Sequence, residues 1–73
     1  MRQPVQQLIQ RYQNNLFTAA FNICQNQMDA EDAVQETFVQ YYTSRKEFEN
    51  EQHIRAWLLR VVINKAKNIN RTF

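Results

Sequence analysis

Apolar residues recur at helical spacing in three segments of this 73-residue chain, separated by two polar stretches. In the first, from about Pro4 to Asn26, the residues Val5, Leu8, Ile9, Tyr12, Leu16, Ala19, Ala20 and Ile23 follow one another mostly at steps of three and four. That spacing draws one continuous stripe along a helix. Phe17, Phe21 and Cys24 widen the stripe past half of the circumference, so this helix needs covering on two sides. Pro4 suits a first turn, where its missing N–H costs no hydrogen bond.

Gln25-Asn26-Gln27-Met28 interrupts the stripe, and Asp29 then stands where an N-cap belongs. The second helix is expected to run to about Thr43. Ala30, Ala33, Val34, Thr37, Phe38 and Tyr41 fall on its inner side. Glu31, Asp32, Gln35, Glu36, Val39, Gln40 and Tyr42 fall on the outer side, where Val39 and Tyr42 are the unexpected members. Ser44 to Gln52 loses the periodicity and reads as a loop, with room for one helical turn; Phe48 is its only apolar residue. A third helix begins near Gln52 or His53 and reaches about Asn70. Its core stripe is Ile54, Trp57, Leu58, Val61 and Val62, supported by Leu59, Ile63 and Ala66. The pattern predicts an all-α fold over 1–73: a single domain, a compact bundle of three main helices with a loop between helices 2 and 3.

Composition narrows the function. The chain has no Gly and one Pro, which disfavours hairpin-rich β folds and excludes Gly-rich phosphate-binding loops. The lone Cys24 allows no internal disulfide and reads as a core filler. The opening residues lack a signal peptide's apolar stretch, and the runs Ala56–Leu59 and Val61–Ile63 are split by Arg60. The expectation is a soluble, cytoplasmic domain. Glu31, Asp32 and Glu36 have no converging His, and His53 stands alone at a helix start. No catalytic constellation emerges, so neither an enzyme, a metal nor a cofactor is expected.

Charge is divided along the chain. All seven acids lie between positions 29 and 51 against two bases, a net −5, whereas the 22 residues from Gln52 onward carry five bases and no acid. Unlike faces suit unlike partners, one basic and one polyanionic, although a solvated dipolar surface reads equally well from charge alone. On the third helix, Arg60, Asn64, Lys67, Asn68 and Arg71 share one face. Arg and Lys neutralise phosphates and Asn pairs with base edges. Cations near a helix C-terminus also complement its dipole, so the stripe is open to a solubilising reading as well. A nucleic-acid face must exclude carboxylates, and their absence here favours that alternative.

The run Asp29-Ala-Glu-Asp-Ala-Val-Gln-Glu-Thr-Phe38, followed by His53-Ile-Arg-Ala-Trp-Leu-Leu-Arg-Val-Val-Ile-Asn64, resembles the second conserved region of bacterial sigma-70-type sigma factors. It is most similar to the small extracytoplasmic-function (ECF) group, and the likeness extends from about Leu8 to Arg71. The resemblance implies a transcription initiation domain whose second helix grips the clamp coiled coil of the RNA polymerase β′ subunit. Asp32, Gln35, Glu36, Val39 and Tyr42 are the implied contacts. It also implies that the 44–52 loop captures a flipped non-template base of the promoter −10 element, with Phe48 as a stacking candidate. The third helix then reads the promoter, Asn64 at a base and Arg60, Lys67, Asn68 and Arg71 on backbone or bases. Trp57 and Leu58 match the family's core anchors, and an anti-sigma factor is a further implied partner.

Two features depart from the family pattern. Glu47, Glu49 and Glu51 are awkward neighbours for single-stranded DNA. Family members also carry a C-terminal domain reading the −35 element, which is absent here, so an excised or truncated domain is expected. Two other readings compete. A free-standing helix-turn-helix regulator needs a tight turn, often with Gly, where this chain has an acidic loop. A helical protein-interaction module leaves the acid-free last 22 residues unexplained.

Overall fold

A computed structural model describes residues 2–69. It contains three helices: α1 (Val5–Cys24), α2 (Gln27–Thr43) and α3 (Glu51–Ile69). Each packs against both others, so α1 is covered on two sides as its broad stripe requires. Phe21, at the edge of that stripe, stays 38% exposed and stacks on Phe17 with ring centroids 5.8 Å apart.

Pro4 opens α1 by accepting the N–H groups of Gln7 and Leu8 at 3.1 and 3.3 Å, doing with its carbonyl what it cannot do with a donor. The helix ends on Gln25, whose φ of 55° is the left-handed conformation usually given to Gly. In a chain without Gly, Gln25 takes it, and its N–H donates to the Phe21 carbonyl at 2.8 Å.

The break between the first two helices is shorter than the sequence suggests. Asn26, not Asp29, is the N-cap of α2: its extended backbone precedes the helix and its Oδ1 accepts the Asp29 N–H at 2.9 Å. Asn caps as well as Asp does, and capping two residues into the break adds Gln27 and Met28 to the helix. Asp29 keeps its place in the first turn, where its carboxylate complements the dipole.

The core is built from the inward positions of all three helices. Leu8, Leu16, Ile54, Leu58 and Val62 are almost wholly enclosed. Ala20, Ala30, Ala33 and Ala66 are fully buried small residues that let the helices approach closely. Thr37 lies in this core and satisfies its hydroxyl by donating to the Ala33 carbonyl at 2.7 Å. Of the expected inner face of α2, only Val34 is half-buried rather than enclosed.

The loop spans residues 44–50, and α3 begins at Glu51. Asn50 supplies the start, its Oδ1 accepting the His53 N–H at 2.8 Å in the manner of an N-cap. Trp57 packs against the core as its place in the stripe implies, half-buried and edge-to-face with Tyr41 and Phe48. Phe48 is 2% exposed, between Tyr41, His53 and Trp57, with ring centroids 5.1 to 5.8 Å away. It is the loop's only apolar side chain, and burying it is the largest hydrophobic gain open to that segment. A ring so enclosed offers no face for a base to stack on.

Candidate functional site

The outer surface of α2 is a ridge. Glu31, Asp32, Gln35, Glu36, Gln40 and Tyr42 are all exposed along it, and Val39 and Tyr42 keep 59% and 72% of their surface in solvent. Both flanks of the ridge are concave. Toward α1 lies an open groove of about 1000 Å³, whose floor includes Ile9, Phe17, Val34 and Phe38 and whose α2 side carries Asp32, Gln35, Val39 and Tyr42. Among the described residues, Glu31 and Asp32 are the charged ones that line it. Toward α3 lies a smaller hollow of about 530 Å³ that includes Gln35, Glu36, Val39 and Lys65.

The five α2 residues implied by the family resemblance are therefore not equivalent. Asp32, Gln35, Val39 and Tyr42 share the apolar groove, whereas Glu36 turns to α3 and pairs with Lys65 at 3.6 Å. That pair is largely solvated and contributes little to stability. The groove reaches α1 through Ile9 and Phe17, and Met28, 79% exposed, stands at its edge. Sequence reasoning treated Ile9 and Phe17 as core and did not assign them to a surface. Both are only half-buried, packed against the core at the edge of the broad α1 stripe.

On α3, Arg60, Asn64, Lys67 and Asn68 are exposed, consistent with one outward stripe. Arg71 lies outside the described residues. The stripe and the α2 ridge approach each other through the Glu36–Lys65 pair. Arg45, Lys46, Glu47, Glu49 and Asn50 are the exposed side chains of the loop.

Glu51, in the first turn of α3, is half-buried, unlike the exposed Glu47 and Glu49 of the loop. Its carboxylate accepts hydrogen bonds from Arg11, from the Tyr12 hydroxyl at 2.6 Å and from the Gln3 side-chain amide at 3.0 Å. These donors, Arg11 first, then Tyr12 and Gln3, hold its pKa down at about 2, against an ordinary 4.5. The Tyr12 hydroxyl is pushed up, by burial first and by its bond to Glu51 second. Burial also raises the Cys24 thiol, which donates to the Ala66 carbonyl at 3.8 Å and fits a core filler. The Glu51 network joins residues about 40 positions apart, and no periodicity in the sequence announces it.

Among the described residues, no three His, Cys, Asp or Glu side chains cluster to hold a metal. No helix among them is long and apolar enough to cross a membrane.

The chain is an all-α bundle with an acidic, partly apolar ridge on one helix and a cationic, amide-bearing stripe on the next. The sequence family described as Sigma-70 region 2 matches residues 8–72, and the chain belongs to it. It is 32% identical over 65 residues to the RNA polymerase sigma factor NccH of Alcaligenes xylosoxydans xylosoxydans, covering 89% of this chain and 35% of that protein. It is 36% identical over 61 residues to the ECF RNA polymerase sigma-E factor of Haemophilus influenzae, covering 84% of this chain and 32% of the relative. To the RNA polymerase sigma factor CnrH of Cupriavidus metallidurans it is 34% identical over 65 residues, 89% of this chain and 34% of that one. The chain thus spans about a third of the length of these relatives. No solved structure matches it significantly.

Proposed function

We propose that this chain is the polymerase-binding and promoter-reading domain of an ECF-type transcription initiation factor, acting in the cytoplasm as a binding module without catalysis. The observation that carries the reading is the segregation of surfaces. Val39 and Tyr42 remain in solvent on an acid- and amide-rich ridge. The stripe from Arg60 to Asn68 contains no carboxylate. Exposed apolar side chains rimmed by carboxylates suit a basic helical partner, here the β′ clamp coiled coil of RNA polymerase. The groove enlarges that surface, because an apolar side chain of the partner can descend between α1 and α2 toward Ile9 and Phe17. Asp32 and Gln35 then provide polar contacts at the rim, and Glu36 contributes from the α3 side. An anti-sigma factor is the further partner of this reading, competing for either face.

The cationic stripe suits the non-template strand of the −10 element, with Asn64 placed for a base and Arg60, Lys67, Asn68 and Arg71 for phosphates or bases. Phe48 drops out of this set. The outward loop surface with Arg45 and Lys46 remains to meet the strand.

The test is calorimetric titration of the chain against an isolated β′ clamp coiled coil, wild type beside Gln35→Ala. Binding in the micromolar range, about −8 kcal/mol, that weakens in the variant without a change in melting temperature is the expected result. No binding by the folded wild type refutes the polymerase face and leaves a free-standing DNA-binding regulator as the better reading.

A further inference from the structure

The loop at the DNA-facing end of this reading is held from an unforeseen direction. Arg2 and Gln3 precede α1 in sequence, yet they lie across the far end of α2 and the loop that follows it. The Arg2 guanidinium donates from Nη2 to the Tyr41 carbonyl at 3.0 Å and from Nη1 to the Lys46 carbonyl at 2.8 Å. It also sits 4.6 Å from the centroid of the Tyr41 ring. The Tyr41 hydroxyl accepts the Gln3 N–H and donates to the Gln3 carbonyl, both at 2.9 Å. The Gln3 side chain then reaches Glu51 at the first turn of α3. Two consecutive residues thus touch the end of α2, the middle of the loop and the start of α3.

Each contact has a physical reason. The carbonyls of a helix's last turn lack intrahelical donors, and a cation there complements the dipole. The Tyr41 carbonyl already accepts the Ser44 N–H at 3.2 Å, so Arg2 adds a second, charged donor there, and its planar fork reaches the Lys46 carbonyl as well. The loop has no Gly, and Arg2 adds to its other anchors: the Ser44 N–H donates to the end of α2, Ser44 Oγ accepts the Lys46 N–H at 3.1 Å, His53 Nδ1 accepts the Glu49 N–H at 3.2 Å, and Phe48 is buried beneath. Lys46 is where Arg2 takes hold, and Arg45 and Lys46 are the cations the loop exposes.

We infer that Arg2 and Gln3 form a strap that sets the 44–50 loop in its DNA-binding conformation before the strand arrives, making them positioning residues for promoter capture. The inference rests on the promoter-reading function proposed above. A loop already ordered loses less conformational entropy on binding, and the apparent affinity scales with the fraction of molecules in the competent state. Arg2 acts through the loop backbone and its guanidinium is spent on carbonyls, so it is not a phosphate contact.

That distinction makes the strap testable. Wild type, Arg2→Ala and Gln3→Ala are titrated with a fluorescent −10-like single strand at several salt concentrations, and with the β′ coiled coil. The strap predicts a loss of single-strand affinity of about five- to tenfold in Arg2→Ala and a smaller loss in Gln3→Ala. It predicts an unchanged salt slope in both and unchanged coiled-coil affinity. Hydrogen exchange of amides 45–49 should accelerate in Arg2→Ala while the core of α1 and α3 stays protected. A slope that falls by about 0.7 together with affinity makes Arg2 a direct phosphate contact and overturns the strap. Equal affinity in wild type and Arg2→Ala, or unchanged loop exchange, overturns it too. A wild type that binds no single strand overturns the promoter-reading function itself, a result distinct from either of those.

Discussion

Replacing Phe48 with Ala separates the two roles open to this ring. Its side chain is 2% exposed and has three ring neighbours: Tyr41 at 5.8 Å, Trp57 at 5.7 Å and His53 at 5.1 Å. Truncating a buried Phe to Ala costs about 3–5 kcal/mol through lost transfer energy and the cavity left behind. A domain of this size has a total stability of roughly 4–11 kcal/mol, so the loss is a large fraction of it. At about 4–8 °C per kcal/mol the melting temperature should fall by at least about 12 °C. Phe48→Leu keeps most of the volume but loses the ring pairs, and should cost about 1–2 kcal/mol. Thermal melts followed by circular dichroism and by Trp57 fluorescence measure both. Trp57 is the chain's single tryptophan and its ring edge meets Phe48, so its emission reports directly on the site. A Phe48→Ala chain that melts within about 4 °C of wild type yet loses single-strand binding would refute the core assignment and restore the ring as a stacking platform.

Two further perturbations probe the frame around the site. Glu51 has its pKa lowered in the folded chain to about 2, so its network contributes stability that is fully present above about pH 4.5 and is lost as the pH falls toward 2. Acid unfolding of wild type beside Glu51→Gln should therefore show a steeper loss in wild type across that window; parallel curves would mean the network is not formed in solution. At the start of α2, Asn26→Ala should cost about 1 kcal/mol and Asp29→Ala less, because Asn26 provides the cap and Asp29 only its N–H and a dipole contact. The reverse order in denaturant melts would return the cap to Asp29.

The outward set on α2 was legible because a helix of period 3.6 fixes which residues share a side once the inner ones are known. The inner ones were unmistakable: Ala30, Ala33, Thr37, Phe38 and Tyr41 are all buried, and Asp32, Gln35, Val39 and Tyr42 therefore point away. The stripe from Arg60 to Asn68 was legible for the same reason. The role of Phe48 was not. In a segment without periodicity a lone aromatic is equally readable as an anchor or a binding platform. Only the positions of Tyr41 and Trp57, brought together from two helices, enclose the ring.

By itself the sequence determined the three helices, their inward faces, the division of charge and the family, all properties of residues within a few turns of one another or of contiguous motifs. The tertiary structure decided what depends on distant pairs. It set how deep the α1–α2 groove runs, turned Glu36 toward Lys65, and drew Glu51 away from the loop surface to Arg11 and Tyr12. It also laid Arg2 and Gln3 across Tyr41 and Lys46. These ion pairs and hydrogen bonds join positions 29 to 44 residues apart, and helical periodicity carries no information at that range. They exist because packing three helices around one core brings the start of the chain beside the loop between the other two.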